Sequence, residues 1–189
     1  MSKRFARALA LPEISSDDVF LCYLPLFHTF GRYFELMGSI FWGATYSFAE
    51  SPAFNSLLND FKLVKPSIFI SIPKRWVQLH NMVQDIIDLD SDNKGKIRYE
   101  IEKITGGRLK FGLSAAGYLD PDTFSFFHEN NVNLLSGYGM TEATGGITMT
   151  PPDDYRQDSV GIALPGIKLK IEQDGELCIK GPYVTDGYY

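Results

Sequence analysis

Two cysteines, no long apolar run and no surplus of positive charge set the first limits on this chain of 189 residues. Cys22 and Cys178 both lie in apolar, strand-like runs. They read as buried thiols in a reducing compartment, not as a disulfide or a metal site, and make a cytoplasmic protein the expectation. No apolar run nears the roughly 20 residues that a membrane-spanning helix needs. Residues 1–11 open with basic side chains, but the stretch is short and Arg7 interrupts it. An amphipathic helix ended by Pro12 is expected there, and no signal peptide. The formal net charge of -5 argues against a nucleic-acid partner, which would call for a basic face. Internal repeats and low-complexity segments are absent.

Several chemistry-bearing motifs are missing too. No G-x-G-x-x-G follows a strand near the start, which counts against a dinucleotide-binding oxidoreductase. Gly106-Gly107-Arg108-Leu109-Lys110 lacks the spacing of a nucleoside-triphosphate loop and precedes a strand, so it reads as a helix stop. Ser114 has neither a histidine nor a G-x-S-x-G elbow beside it, which removes the hydrolase reading. Asp90, Asp92, Gly95 and Ile97 match positions of a calcium loop, but Lys94 and Ile101 stand where oxygen ligands are required. That segment is expected to be a solvated turn. His80 and His128 lie on helices and are expected at the surface.

What is present is a regular alternation of apolar strands and helices. Strands are predicted at residues 19–24, 44–48, 67–72, 109–113 and 132–135. Helices are predicted at 32–41, 53–61, 73–89, 96–104 and 122–129. The run Val19-Phe20-Leu21-Cys22-Tyr23-Leu24 is apolar throughout, as in a parallel strand buried on both faces. Pro73 suits a first helical turn. The fold class is therefore α/β, a parallel sheet with helices on both faces, over residues 1–154. From residue 155 closely spaced turn signals suggest the start of a small antiparallel β subdomain, 155–189. Asp174-Gly175 between residues 167–172 and 176–180 is a hairpin signal. Fourteen Phe and ten Tyr suit an apolar ligand tunnel or a plain core equally.

One stretch carries chemistry. Leu134-Leu135-Ser136-Gly137-Tyr138-Gly139-Met140-Thr141-Glu142 runs from a buried strand into a glycine-flanked tyrosine, a hydroxyl and a carboxylate. Glycines there permit a sharp turn and close backbone approach to a ligand. Tyr138 offers a flat face for a planar ring. Thr141 can donate to a phosphate oxygen, and Glu142 can hold a hard cation. The residue types alone leave an ordinary turn with an N-cap open. In open parallel sheets ligands sit at the carboxyl ends of strands. The segments of His28, of Ser114, Ala115, Ala116 and Gly117, and of Tyr138 all follow strands, so one cleft is expected between them.

These segments resemble the adenylate-forming enzymes, the family of acyl-CoA synthetases, luciferases and peptide-synthetase adenylation domains. Tyr138-Gly139-Met140-Thr141-Glu142 is similar to the Tyr-Gly-x-Thr-Glu signature, and Leu24-Pro25-Leu26-Phe27-His28 to the Leu-Pro-x-x-His element. Gly175-Glu176-Leu177 through Gly181-Pro182, then Gly187-Tyr188-Tyr189, resembles a third element. The resemblance implies an adenine slot at Ser114, Ala115, Ala116, Gly117, Gly137, Tyr138, Gly139 and Met140. It implies phosphate binding by Thr141, magnesium at Glu142, and His28 beside the acyl carboxylate. It implies ATP, Mg2+ and coenzyme A, with a fatty acid or other carboxylic acid as substrate. The aromatic helix after His28 looks most like the long-chain branch. Residues 1–18 hold nothing like the family's Ser/Thr/Gly-rich phosphate loop, and the ribose-binding Asp, hinge and catalytic lysine that follow the Gly-Tyr-Tyr element are not found. A central fragment of the large N-terminal domain, inactive alone, is the expectation. Self-association through unpaired edges and peripheral membrane contact are further expectations. The rival readings are a non-catalytic binding or assembly module and an aryl- or amino-acid-activating ligase of the same family.

Overall fold

The computed structural model describes residues 14–87, 94–151 and 154–189. The helix expected over residues 1–11, and most of the turn expected around residue 92, lie outside the described residues.

Five strands form the parallel part of the main sheet: β1 (Val19–Cys22), β2 (Thr45–Phe48), β3 (Ile68–Ser71), β4 (Phe111–Ser114) and the first half of β5 (Asn133–Met140). β6 (Gly145–Met149) and β7 (Ile162–Ala163) add antiparallel, giving the order β2-β1-β3-β4-β5-β6-β7. β8 (Lys168–Ile171) and β9 (Leu177–Lys180) form a separate antiparallel pair around Asp174-Gly175, the hairpin read from the sequence. This is the α/β architecture expected, a mostly parallel sheet followed by a small antiparallel one.

Alternation along each strand splits the core in two. Phe20, Cys22, Ile68, Ile70, Phe111, Leu113 and Leu135 face one side. Leu21, Phe69 and Leu134 face the other. The second side is covered by α2 (Phe54–Val64), α3 (Pro73–Ile86), α4 (Lys94–Thr105) and α5 (Pro121–Glu129). Its centre is Trp76 of α3, fully buried, with edge-to-face contacts to Phe69 at 5.4 Å and Phe127 at 5.2 Å. Its ring lies over Gly112, where an added Cβ would come within 2.4 Å of the indole. Helix starts follow local chemistry. Pro73 and Pro121 occupy first-turn positions, and Asp120 caps α5 by accepting from the Thr123 N–H at 3.0 Å.

Three expectations are corrected. The helix expected at 32–41 is a π-helix, Phe30–Leu36, running into α1 (Met37–Trp42), and Met37 N–H reaches back to the Arg32 carbonyl. His80 is buried rather than on the surface. Its Nδ1 is 3.0 Å from Thr123 Oγ1, its ring stacks on Phe126, and burial pushes its pKa down. His128 is half-buried, hydrogen-bonded to the Leu134 carbonyl and stacked on Tyr155 at 3.7 Å, and burial lowers its pKa too. Both rings fill seams that α5 makes with its neighbours, which a single-helix pattern cannot reveal. Cys22 is buried as expected, whereas Cys178 is only partly so. Among the described residues no helix is long and apolar enough to cross a membrane.

Asp18 anchors the start of β1. Its carboxylate accepts from Ser67 Oγ at 2.7 Å, from Ser15 N–H at 2.9 Å and from Lys110 Nζ at 2.9 Å. Burial pushes its pKa up, but these donors outweigh burial and hold it below the usual range.

Glu35 in the π-helix is the opposite case. It is fully buried among Cys22 and Tyr46, and neither carboxyl oxygen has a hydrogen-bond partner among the described residues. Burial drives its pKa well above the carboxylate range. Its folded-state pKa thus exceeds its unfolded value, so the wild type loses stability as pH rises from the unfolded value towards the folded one. Glu35→Leu is expected to be more stable than wild type at pH 8, by about 1–3 kcal/mol, the cost of an unsatisfied buried group. The gain should shrink at pH 4. Urea midpoints at the two pH values check this, and a pH-independent difference would refute it.

Candidate functional site

The end of β5 is where the sheet changes direction. Residues 133–136 pair parallel with β4, and residues 137–140 pair antiparallel with β6. The register slips between Tyr138 and Gly139, so a bulge sits beside the tyrosine. The Gly-Tyr-Gly expected as a loop is therefore strand; the turn comes after it, as a 3-10 turn at Thr141–Ala143 closed by Thr144 in the left-handed region at φ 56°. Antiparallel pairing with Gly145 and Gly146 needs small residues on both strands. At Gly139 an added Cβ would meet the Gly145 carbonyl oxygen at 2.2 Å.

A cavity of about 330 Å³ opens at this point. Ala115 and Ala116 line it from the segment after β4. Gly137, Tyr138, Gly139, Met140, Thr141 and Glu142 line it from β5 and its turn, and Gly146 and Thr148 from β6. His28, Phe30 and Phe34 close it from the segment after β1 and from the π-helix. The three strand-following segments thus share one cleft, as the sheet argument expects. Tyr138 is 38% exposed and Ala116 holds φ 66°, a strained value for a residue with a side chain. His28 Nδ1 accepts from the Phe30 N–H at 3.1 Å, which leaves its other ring nitrogen as the one available to a ligand.

Two of the named residues stand apart. Ser114 is buried on the opposite side of β4 from Leu113, in register with Ser71 and Ser136. Gly117 lies against Pro73, at the start of α3. Neither lines the cavity. An adenine slot read from the small-residue run reaches the cavity only through Ala115 and Ala116.

Glu142 is half-exposed at the cavity rim. Its own backbone N–H and then the Tyr188 hydroxyl, which donates to Oε1 at 2.9 Å, hold its carboxyl below the usual range. Sequence reasoning assigned no role to Tyr188, or to Phe30, Phe34, Gly146 and Thr148. The aromatic pair Phe30 and Phe34 is spaced i,i+4 and shares one face because the helix begins at Phe30, two residues before the expected start. Among the described residues no group of three or more His, Cys, Asp or Glu could hold a metal ion. A protein-only metal cage is thus not built here. A lone carboxylate beside a hydroxyl suits magnesium, which commonly binds through one or two carboxylates plus substrate phosphates. Chemically, the cleft offers a flat aromatic face, apolar walls, and a hydroxyl and carboxylate together at one end.

The family model described as AMP-binding enzyme matches residues 3–189. The chain is 28% identical over 216 residues to the human long-chain-fatty-acid–CoA ligase ACSBG1, covering 94% of this chain and 30% of that protein. It is 26% identical over 222 residues to the peroxisomal long chain acyl-CoA synthetase 7 of Arabidopsis thaliana, covering 94% and 31%. The chain spans about a third of the length of these curated relatives. Among solved structures, the anthranilate CoA ligase AuaEII in complex with anthranoyl-AMP superposes with a TM-score of 0.74 at 18% identity, covering 97% of this chain and 34% of that one. ATP-bound MatB from Rhodopseudomonas palustris gives 0.73 at 22%, covering 99% and 35%.

Gly139→Ala tests the cleft wall. Its Cβ would strike backbone, which no rotamer change relieves, so a loss of at least about 1–3 kcal/mol is expected in urea unfolding. Shifts in amide NMR signals should centre on β5 and β6. Wild-type stability in this variant would contradict the pairing described.

Proposed function

The chain belongs to the AMP-binding enzyme family, and from that premise we propose that it is part of an ATP-dependent, adenylate-forming acid–CoA ligase. The observation that carries this reading is the shared cleft of His28, Ala116, Tyr138, Thr141 and Glu142. We assign the activated acid to long-chain fatty acids. The names of the curated relatives support that choice, as do the phenylalanines of the π-helix that wall the cleft.

In this reading a carboxylate oxygen of the acid attacks the α-phosphorus of ATP, and the bond to pyrophosphate breaks. The sulfur of coenzyme A then attacks the acyl carbon, and AMP leaves with the electron pair. Tyr138 supplies the face on which adenine stacks. Ala115 and Ala116, without bulk, let the ring lie against the backbone. Thr141 donates its hydroxyl proton in a hydrogen bond to a phosphate oxygen. Glu142 would hold Mg2+, which when bound offsets the negative charge that builds on the phosphates. His28 lies at the aromatic end of the cleft and orients the acid's carboxylate. The residues outside this stretch of the relatives' length complete the whole protein's chemistry.

AMP titrated into the 189-residue chain by calorimetry tests the reading. Binding is expected, weakened about tenfold in Tyr138→Ala by the loss of one stacked base. An adenylate analogue with a long alkyl chain should bind more tightly than AMP, and one with a benzoyl group should not. Pyrophosphate exchange with palmitate, ATP and magnesium should stay at background, because these residues hold no phosphate loop ending in lysine. Absence of AMP binding would sink the proposal. Preference for the benzoyl analogue would shift it to an aryl acid.

A further inference from the structure

The segment after β9 returns to the rim of the cleft. Three hydrogen bonds tie it to the turn that follows β5. Thr144 Oγ1 donates to the Tyr183 carbonyl at 2.8 Å, Thr185 N–H donates to the Glu142 carbonyl at 2.7 Å, and the Tyr188 hydroxyl donates to Glu142 Oε1 at 2.9 Å. The first two secure backbone. The third reaches the side chain that a phosphate-bound cation would use. Resting on the reading of Glu142 given above, we propose that Tyr188 is a positioning residue for the Glu142 carboxylate, fixing where it points so that the cleft presents it to a divalent cation.

The physical case has three parts. A half-exposed glutamate has many rotamers, and a ligand must select one of them each time it binds. A hydrogen bond to one oxygen from a separate element removes much of that freedom beforehand. Tyr188 is also 76% exposed, so its ring does little packing and its hydroxyl is what it brings to the rim. Finally, the hydrogen bonds to the Tyr183 carbonyl and from the Thr185 N–H hold this segment's backbone independently of that hydroxyl. Tyr188→Phe should therefore keep the segment in place and remove the positioning alone.

The test uses the 15N-labelled 189-residue chain titrated with Mn2+ as a paramagnetic stand-in for magnesium, without nucleotide. Broadening of the amide signals of residues 141–144 reports binding. The wild type should broaden there, and Glu142→Gln should not. Tyr188→Phe should need about tenfold more Mn2+ for the same broadening, the low end of the effect of removing a hydrogen-bond partner from a metal ligand. Metal-free AMP affinity should be equal in wild type and Tyr188→Phe. If Glu142→Gln abolishes the broadening but Tyr188→Phe binds Mn2+ as well as wild type or better, the positioning role is overturned and the cation reading of Glu142 stands. Equal weakening of Mn2+ and AMP would also overturn it, since Tyr188 would then act on the cleft in general. Broadening that Glu142→Gln leaves unchanged, or none in the wild type, overturns the cation reading and the positioning role with it.

Discussion

β5 has to satisfy two partners that run in opposite directions. Its first half completes a parallel sheet with β4, and its second half is an antiparallel strand with β6. The two neighbours lie on opposite edges of the strand, and Ser136 pairs with Ser114 while also bonding Thr150. The register slip between Tyr138 and Gly139 lies within the antiparallel pairing with β6. It falls where the parallel strands end, the place where ligands sit in open α/β sheets. The cleft lies beside that bulge, with Tyr138 and Gly139 in its lining. Tyr138 is held by ladder hydrogen bonds on both sides of the slip, not by a free loop.

This explains which parts of the molecule could be read from the sequence. β1 and β3 are nearly continuous apolar runs, and β3 and β4 are buried along their whole length, whereas β2, Thr45–Phe48, is a partly exposed edge strand. Pro73 and the Asp120-Pro121 pair mark helix starts by chemistry that acts locally. The site was legible at Tyr138, Thr141 and Glu142 because hydroxyl, carboxylate and aromatic face are adjacent in the chain. It was not legible at Phe30, because the helix starts two residues before the expected residue 32 and so brings Phe30 onto one face with Phe34, nor at Tyr188, which meets Glu142 across 46 residues of sequence. Ser114 lies outside the cavity lining for a simpler reason. A strand's side chains alternate, so the residue next to a cleft-lining Leu113 points away from the cleft. His80 and His128 were misread because the surfaces that bury them belong to other elements.

Asp18 and Glu35, both buried, show how far surroundings decide the role of one functional group. Asp18 has a hydroxyl, a backbone N–H and an ammonium on it, which hold its pKa below the usual range while it joins the start of β1 to the segments that lead into β3 and β4. Glu35 has burial without donors, and burial pushes its pKa well above the carboxylate range inside the wall that carries Phe30 and Phe34. The first adds to stability at neutral pH, and the second subtracts from it.

Gly161 and Gly175 look alike in the sequence, each at positive φ in a turn. Their tolerance of mutation is not alike. A Cβ at Gly161 would sit 1.9 Å from the Met149 carbonyl carbon, whereas at Gly175 nothing lies within 4 Å. A replacement at Gly175 other than proline meets no steric clash, only the backbone penalty of the left-handed region, about 1–2 kcal/mol. A replacement at Gly161 must also push apart the strand end that backs the cleft. Random substitution would therefore be tolerated far more readily at the hairpin tip than at position 161, although Gly161 lies outside the lining of the cleft.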